Sequence, residues 1–434
     1  MLAIIGYAII IVMMFLILKD KALPATCFVF LPIIGAVIAG FSITDISGFV
    51  SKGVGTTWAT AILFVFSILY FGIMNYAGLF DKLVDYLLKV AGNNVTMILL
   101  ATAIIAIIGH IDGATTSTYL ITIPVMLPIF KKMKLRPTVL LLIVSSATGV
   151  MNLVPWGGPT IRAATAIGQD ATQLWVSMIP MQVFGIVCTL SLAVYFSFVE
   201  KKRLAKAGEA GIVVDLSKDS GRIEETDLSM KRPKLLWFNL LLTIIIIVLL
   251  VKNIFPAYAV FMFGMLIAIA VNYPDLKMQQ TIIHDLAGGS IGLVVTLIGA
   301  GVFLGIFVNT GMIDAMSQVL IHLLPGSLQK YLHLIIGALG APMGMIMGPD
   351  PYYYGVLPLI SETVARFGVT PDQVAHAMLI GENVALAVSP CVPTTFLAMG
   401  LAGVELKDHI KFSFKWLWGI SILMLVFAVL FNII

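Results

Sequence analysis

Long runs of apolar residues constrain this chain more than any other feature of its sequence. The runs recur along the whole chain and are about 17–25 residues long, the length of helix that crosses the hydrocarbon core of a bilayer. Hydrophobic residues make up 60% of the 434 residues and charged residues only 11%, whereas a soluble chain carries about 25% charged residues. The sequence therefore predicts an all-α polytopic membrane protein, and it excludes a soluble enzyme or a nucleic-acid-binding protein as the leading interpretation.

The two halves of the sequence resemble each other at an offset of about 233 residues. The segment FGIMNYAGLFDKL at 71–83 matches LGIFVNTGMIDAM at 304–316, and the Pro-Thr dipeptide at 159–160 matches the one at 393–394. Because the matches keep their order and nearly their spacing, we expect a duplicated architecture. Its predicted parts are a first repeat at 1–199, a polar linker at 200–234 and a second repeat at 235–434.

In each half, two short apolar segments are joined by a polar turn that contains glycine or proline. The pair near 95–130 is joined by IDGAT, and the pair near 331–367 is joined by MGPDP. Irregular backbone at bilayer depth is tolerated only where protein or a water-filled cavity surrounds it. Each pair therefore predicts a re-entrant helical hairpin that enters and leaves by the same face, although two short helices joined by an ordinary loop also fit the pattern.

Each half then supplies about five full spans beside its hairpin, about ten in all. Because five is an odd number, the second repeat is expected to be inverted relative to the first. Lys and Arg concentrate in cytoplasmic loops, and with the N-terminus outside the cytoplasmic loops hold all 26 basic residues except Lys52, Lys252, Lys330, Arg366 and Arg162. We therefore expect a plasma-membrane protein with both termini outside and the linker in the cytoplasm.

Four interrupted segments are candidates for a substrate site. Two are the hairpin turns, and two are proline-bearing breaks that follow the hairpins, NLVPWGGPT at 152–160 and AVSPCVPTT at 387–395. Proline removes a backbone donor and breaks a helix, and inverted-repeat transporters bind their substrates at such half-helix ends. The freed amides, small residues and hydroxyl groups suit an oxyanion. The candidate contacts are Thr115, Thr116, Ser117, Asn152, Gly157, Gly158, Thr160, Ser389, Thr394 and Thr395.

Ionisable side chains in these segments are functional candidates, because they are costly inside a membrane. Asp112 and Asp350 lie in the two hairpin turns, where each would contact a metal ion, a proton or the substrate, unless it only caps the turn. His110 and Glu382 are candidates for carrying protons, and hydrogen-bonded packing is the alternative for both.

Arg162 is a further candidate, since its repeat mate is Phe396 and the duplication alone does not require a cation there. A guanidinium in such a position is typical of a site that binds a carboxylate or a phosphate. Arg162 could instead reach the outer surface or pair with Asp170.

At these four segments the chain resembles the citrate–metal:proton symporter family (CitMHS) of the ion transporter superfamily. The most specific matches are GHIDGATTSTYLIT, NLVPWGGPTIRAA, MGPDPYYYG and SPCVPTTFL, and the likeness covers essentially the whole chain. The resemblance implies a homodimer in which each protomer has a scaffold and a mobile transport part that carries the hairpins and broken helices. It also implies proton-coupled import of citrate complexed with a divalent cation of the Mg²⁺ or Ca²⁺ class, by an elevator-type mechanism and without a permanently bound cofactor.

With that resemblance, the candidate residues acquire roles. Arg162 would bind a citrate carboxylate, Asp112 and Asp350 would approach the metal ion, and Asp112, His110 or Glu382 would carry the proton. A sodium-coupled carrier of organic anions is the main alternative, although Pro-Thr and Asp-Gly-Ala-Thr stand here where sodium-coupled relatives have Pro-Pro-Asn or Ser-Asn-Thr. A passive anion channel fits less well. A membrane-embedded hydrolase also fits less well, since the sequence has no H-E-x-x-H or G-x-S-x-G motif.

Overall fold

The computed structural model describes residues 1–19, 21–79, 81–92, 94–207, 228–252, 254–323 and 325–434. Within these ranges the regular structure is helical and no strand occurs. Most of the predicted linker, residues 208–227, lies outside the described residues.

The first half contains nine α-helices in the described ranges. They are α1 (Leu2–Leu18), α2 (Pro24–Ile38), α3 (Ile43–Tyr76), α4 (Asp81–Ala91), α5 (Val95–Gly109), α6 (Thr115–Lys132), α7 (Pro137–Met151), α8 (Gly158–Ile167) and α9 (Ala171–Lys206). A 3-10 turn, His110–Asp112, links α5 to α6.

The second half repeats this order with more interruptions. Its α-helices are α10 (Leu236–Val251), α11 (Ala257–Asn272), α12 (Leu276–Asn309), α13 (Met312–Leu323), α14 (Gly326–Gln329), α15 (Leu332–Ala338), α16 (Gly340–Met347), α17 (Leu357–Ala365), α18 (Pro371–Asn383), α19 (Pro393–Ala402) and α20 (Leu406–Leu430). A π-helix, Pro351–Val356, precedes α17, and three 3-10 turns occur at Leu228–Met230, Pro233–Leu235 and Leu386–Val388.

The helices α3 and α12 are both 34 residues long. Each begins about a dozen residues before its long apolar run, which starts at Gly55 in α3 and at Gly288 in α12. Ser42 and Asp45 form a capping box at the start of α3, and the Asp275 carboxylate accepts a hydrogen bond from the Met278 amide, 2.9 Å, at the start of α12. A cap satisfies amides that have no partner inside the helix. The caps therefore fix where these two helices begin, and the helices extend beyond the apolar runs.

Helices α3 and α12 pack closely and run antiparallel. Early in α3, Gly53 lies against Gly301 and Gly305, late in α12, where an added methyl group would overlap the carbonyl oxygen of Gly301. Late in α3, a methyl group on Gly72 would lie 2.6 Å from the side chain of Leu286, early in α12. Glycine lets two helix backbones approach in this way because no side chain stands between them.

Six helical segments in the described ranges are long and apolar enough to cross a membrane: Ile43–Tyr76, Val95–Asp112, Ala171–Lys206, Pro233–Val251, Ser290–Asn309 and Leu406–Leu430. A seventh results if Pro371–Val388 and Pro393–Ala402, which meet at a bend of 42°, form one broken span. These segments make the chain a multi-pass membrane protein. The expected total of about ten spans stays a prediction.

The two segments expected to be re-entrant differ in continuity. Helix α5 has 15 residues, about 22 Å at the usual helical rise, which is less than a hydrocarbon core of roughly 30 Å. It leads directly through the 3-10 turn to α6. The second segment is divided into α15, α16, the π-helix and α17. That either pair is re-entrant remains a prediction.

Candidate functional site

The first broken helix consists of α7 and α8. Between them, the hydroxyl of Thr160 donates to the carbonyl oxygen of Leu153, 3.0 Å, and Gly157 lies so close to the carbonyl oxygen of Asn152 that a side chain would overlap it. The predicted break is therefore present, and its backbone folds back on itself. Because the Thr160 hydroxyl is fully buried and used inside the break, its first role is to hold this shape.

The second broken helix consists of α18 and α19. Between them, the Ser389 hydroxyl donates to the carbonyl oxygen of Gly344 in α16, 3.2 Å, and accepts a hydrogen bond from the Cys391 amide, 3.2 Å. Ser389 thus ties this break to the first arm of the second hairpin segment.

The two breaks lie against each other. The Asn152 amide donates to the Asn383 side-chain oxygen, 3.2 Å, and both residues are buried. A methyl group on Gly149 would lie 2.6 Å from the Cα of Val384. Helices α7 and α18 therefore cross where each one ends, 231 residues apart in sequence at the asparagine pair. Asn383 was not among the predicted site residues.

The turn of the first hairpin segment packs on the first break. The Trp156 indole donates to the carbonyl oxygen of Ile111, 2.8 Å, and a methyl group on Gly113 would lie 2.8 Å from the Trp156 ring. Asp112 is engaged within the turn, because one of its oxygens accepts from the Ala114 amide, 2.8 Å, and the other from the Ser117 hydroxyl.

His110 is completely buried beside this turn, and its Nδ1 lies 2.8 Å from the hydroxyl oxygen of Thr118. Thr118, like Trp156, was not predicted from the sequence. Both stand directly beside predicted site residues, which is the signal that could have identified them.

The turn of the second hairpin segment is bonded to α8. Arg162 Nε lies 2.6 Å from Asp350 Oδ1, and each side chain is 15% exposed. The Asp170 carboxylate instead caps α9, accepting from the amides of Thr172, 2.9 Å, and Gln173, 3.0 Å. Asp350 is thus the partner of Arg162 in this structure, an arrangement that the sequence did not predict.

Glu382 lies at the end of α18 and is 1% exposed. Its Oε2 accepts a hydrogen bond from the Tyr353 hydroxyl, 2.9 Å, whereas its Oε1 has no hydrogen-bond partner among the described residues. Gly344 approaches Glu382 closely, since a methyl group there would lie 2.9 Å from Oε1. Tyr353 was not among the predicted site residues, and it is a direct partner of one of them.

A cleft opens beside Arg162, between the broken-helix region and the two long helices α3 and α12. It is lined by Gly158, Ile161, Arg162 and Tyr354 on one side and by Phe64, Leu293, Thr296 and Leu297 on the other. The guanidinium therefore lies at a boundary between two parts of the molecule.

The remaining predicted contacts differ in burial. Thr115 and Thr394 are half-buried, Thr116 is exposed, and the buried hydroxyl of Thr395 has no partner among the described residues. The described part of the chain contains no group of three or more His, Cys, Asp or Glu residues that could hold a metal ion by itself.

The first break, the two hairpin turns and Arg162 lie in the part of the chain that matches a known protein family. A family model described as citrate transporter matches residues 1–381. The chain belongs to the citrate transporter family. It is 37% identical over 434 residues to a protein of Bacillus subtilis (strain 168) named citrate transporter, with both chains covered completely.

Two further family relatives come from the same organism. The chain is 36% identical over 437 residues to a protein named Mg(2+)/citrate complex secondary transporter, covering 100% of this chain and 99% of the relative. It is 32% identical to the uncharacterized transporter YraO, covering 99% and 98%. The fold resembles the crystal structure of the Alcanivorax borkumensis YdaH transporter, with a TM-score of 0.61, 14% identity and 90% of each chain covered. The relatives named in these comparisons are thus transporters, and transport is the activity class of this family.

Proposed function

We propose that this member of the citrate transporter family is a secondary active transporter that imports citrate as its complex with a divalent cation, in symport with protons. The observation that carries the proposal is the meeting of the two broken helices, with the first hairpin turn packed on the first break through Trp156 and the second bonded to Arg162. A relative that is 36% identical along the whole chain is named for the Mg²⁺–citrate complex, which supports the choice of ligand.

The charge of the ligand explains why a metal complex suits this site. Free citrate carries about three negative charges at neutral pH, and moving them into a membrane is very unfavourable. Chelation of a divalent cation by the carboxylates leaves about one negative charge, which one guanidinium can balance. Arg162 binds a carboxylate in this proposal. The other contacts are Thr115, Thr116, Ser117, Asn152, Gly157, Gly158, Thr160, Ser389, Thr394 and Thr395.

Citrate supplies most of the metal ligands in this proposal, and Asp112 and Asp350 complete them. This division is consistent with the lack of a three-residue metal-binding group among the described residues. The cation travels as part of the substrate, and the protein needs no resident cofactor.

We assign the coupled proton to Glu382, rather than to His110 or Asp112. An ionised carboxyl group in an apolar environment is costly when one of its oxygens has no partner. Glu382 is 1% exposed and has such an oxygen among the described residues, whereas both oxygens of Asp112 accept hydrogen bonds. A proton on Glu382 would enter with the ligand and leave with it.

The proposed movement is elevator-like, in a homodimer. The antiparallel contact of α3 with α12 supports an inverted second repeat, because these helices occupy equivalent places in the two halves. In this scheme α3 and α12 belong to the scaffold, and the part that carries Arg162 slides past them along the cleft. The termini lie outside and the linker lies in the cytoplasm.

Uptake into proteoliposomes tests the proposal. Purified full-length protein is reconstituted, and accumulation of labelled citrate is followed with Mg²⁺, Ca²⁺ or EDTA present and with an inward proton gradient. We expect accumulation against a gradient only with a divalent cation and the proton gradient. Replacing sodium by choline should change nothing, and a requirement for sodium would instead support the sodium-coupled alternative.

Two arginine variants make the test specific to the site. Arg162→Ala should weaken the affinity for citrate by about a hundredfold or more, because the cation that pairs with the carboxylate is lost. Arg366→Ala removes the same side chain from an exposed position and should leave binding unchanged. Wild-type citrate affinity in Arg162→Ala would refute the assigned site.

A further inference from the structure

In the proposed function Arg162 binds a carboxylate of citrate and Asp350 binds the metal ion. In this structure the two side chains are bonded to each other. Arg162 Nε lies 2.6 Å from Asp350 Oδ1, in surroundings that leave each side chain 15% exposed. A charge-assisted bond of this kind is strong, and removing one partner leaves the other charge poorly solvated. A ligand that takes Arg162 must therefore also satisfy Asp350.

A second carboxyl group lies near the same guanidinium. The carboxyl group of Glu382 is close enough to interact electrostatically with both Arg162 and Asp350. One cation is thus shared between two carboxyl groups. A ligand that brings only negative charge would compete with Asp350 for Arg162 and would then lie beside an unpaired carboxylate.

The position of Asp350 makes it a constrained partner. It stands between Pro349 and Pro351, whose rings restrict the backbone on both sides. It immediately precedes the π-helix Pro351–Val356. The backbone that carries this carboxylate is therefore restricted, and any backbone displacement at Asp350 would move the turn of the second hairpin segment.

From this pair we propose that Asp350 is the residue that selects metal–citrate over free citrate, by an exchange of ion pairs. In the free protein Asp350 neutralises Arg162. When metal–citrate binds, a carboxylate of citrate takes Arg162 and the metal ion takes Asp350, so that both charges keep a partner. Free citrate takes Arg162 and leaves Asp350 as an unpaired carboxylate beside the bound anion, and the site rejects it. This inference rests on the proposed function.

The exchange also couples ligand binding to the hairpin turn. Breaking the Arg162–Asp350 bond removes the ion pair that joins the second turn to α8, and only a ligand that offers both an anion and a cation bridges the two side chains again. The complete complex therefore restores this link, whereas free citrate leaves it broken.

Binding of labelled citrate to purified full-length protein tests the inference, with Mg²⁺ in excess or with EDTA. Wild-type protein should bind only with Mg²⁺. Asp350→Asn should bind free citrate at least about tenfold more tightly than wild type does, because like charges no longer meet, and should bind metal–citrate about tenfold more weakly. The preference for the metal complex then falls by about a hundredfold. Asp350→Glu keeps the charge and should keep the preference.

Asp170→Asn is the matched control, because it makes the same change at an exposed residue that caps α9 and asparagine caps a helix equally well. It should retain the wild-type preference. An Asp350→Asn protein that binds metal–citrate and still rejects free citrate overturns the inference. So does a folded Asp350→Asn protein that binds neither form.

If Asp350→Asn does not give a monodisperse protein, Asp350→Ser carries the same two outcomes. Wild-type protein that binds no citrate under any condition refutes the proposed function itself, and wild-type protein that binds citrate equally with and without Mg²⁺ refutes its metal requirement. Both results are distinct from a failure of Asp350 as the selecting residue.

Discussion

The turns of the two hairpin segments hold their aspartates in opposite ways. The sequences GHIDG, from Gly109, and GMIMG, from Gly344, occupy equivalent places, and the last glycine of each has a positive φ, 72° at Gly113 and 71° at Gly348. Asp112 precedes its glycine and is bonded within its own turn. Asp350 follows its glycine by two residues and is bonded across to α8.

This difference indicates that the two turns have different roles. The first turn is held by hydrogen bonds to its own backbone and by Trp156, and these contacts can persist while a metal ion approaches Asp112. The second is held by an ion pair, and an ion pair can be exchanged for a ligand that carries both charges. We therefore expect the first turn to be rigid and the second to respond to the ligand.

The second turn is attached to a tightly packed arm. The first arm of the second segment packs on α18 through small residues, with Gly337, Gly340 and Gly344 placed where added side chains would meet Ala377, Gly381 or Glu382. A seam of small residues lets backbones approach closely. If the second turn moves when the ligand binds, it therefore moves at the end of an arm that is closely packed against α18.

The largest effect should come from that seam. In Gly381→Ala the new methyl group overlaps the carbonyl oxygen of Gly337, and overpacking of this kind should destabilise the protein by about 3 kcal/mol or more. Thermal unfolding of the purified protein measures it. Gly400→Ala, in α19 with open space around it, should unfold at or above the wild-type temperature, and equal behaviour of the two variants would show that the arm is loosely seated.

Rigidity of the first turn can be tested at its glycine. Gly113→Ala should cost about 2 kcal/mol, because it combines a left-handed backbone with a methyl group 2.8 Å from Trp156. Gly168 has a similar φ, 67°, and open space, so Gly168→Ala should cost only about 1 kcal/mol. Thermal melting of both proteins decides the comparison, and an equal loss would mean that Trp156 does not hold the turn.

The smallest expected effect is on the pH dependence of citrate uptake, which distinguishes Glu382 in the second half from His110 in the first as the residue that carries the proton. Wild-type uptake should increase as the external medium is acidified, whereas in Glu382→Gln uptake should become independent of external pH and fall about tenfold at acidic pH. His110→Gln, beside the first turn, should keep the pH dependence. Citrate uptake across a series of external pH values measures both, and a pH-dependent Glu382→Gln protein would move the proton to another group.

The sequence predicted much of the helical framework because its signals are local. Pro159 and Pro393, the second prolines of the two breaks, lie in the first turns of α8 and α19. The equivalence of Gly78 and Gly311 is seen in their φ values, 78° and 72°. Each of these features depends on neighbouring residues and can therefore be read along the chain.

The site was predicted as a set of residues but not as a set of contacts. Arg162 and Asp350 were both candidates, yet they are 188 residues apart, and no local pattern indicates that they meet. Tyr353 sits in an aromatic run that favours packing, and its bond to Glu382 depends on where α18 lies. Partners of this kind follow from tertiary packing, which periodicity does not encode.

The glycine contact between α3 and α12 has a consequence for how the two halves of the chain can change. Gly53 belongs to one half, and Gly301 and Gly305 belong to the other. A bulkier residue at any of these positions would meet backbone atoms of the opposite half, which cannot rotate out of the way. Substitutions at this crossing are therefore constrained in both halves at once, whereas the turns can vary separately.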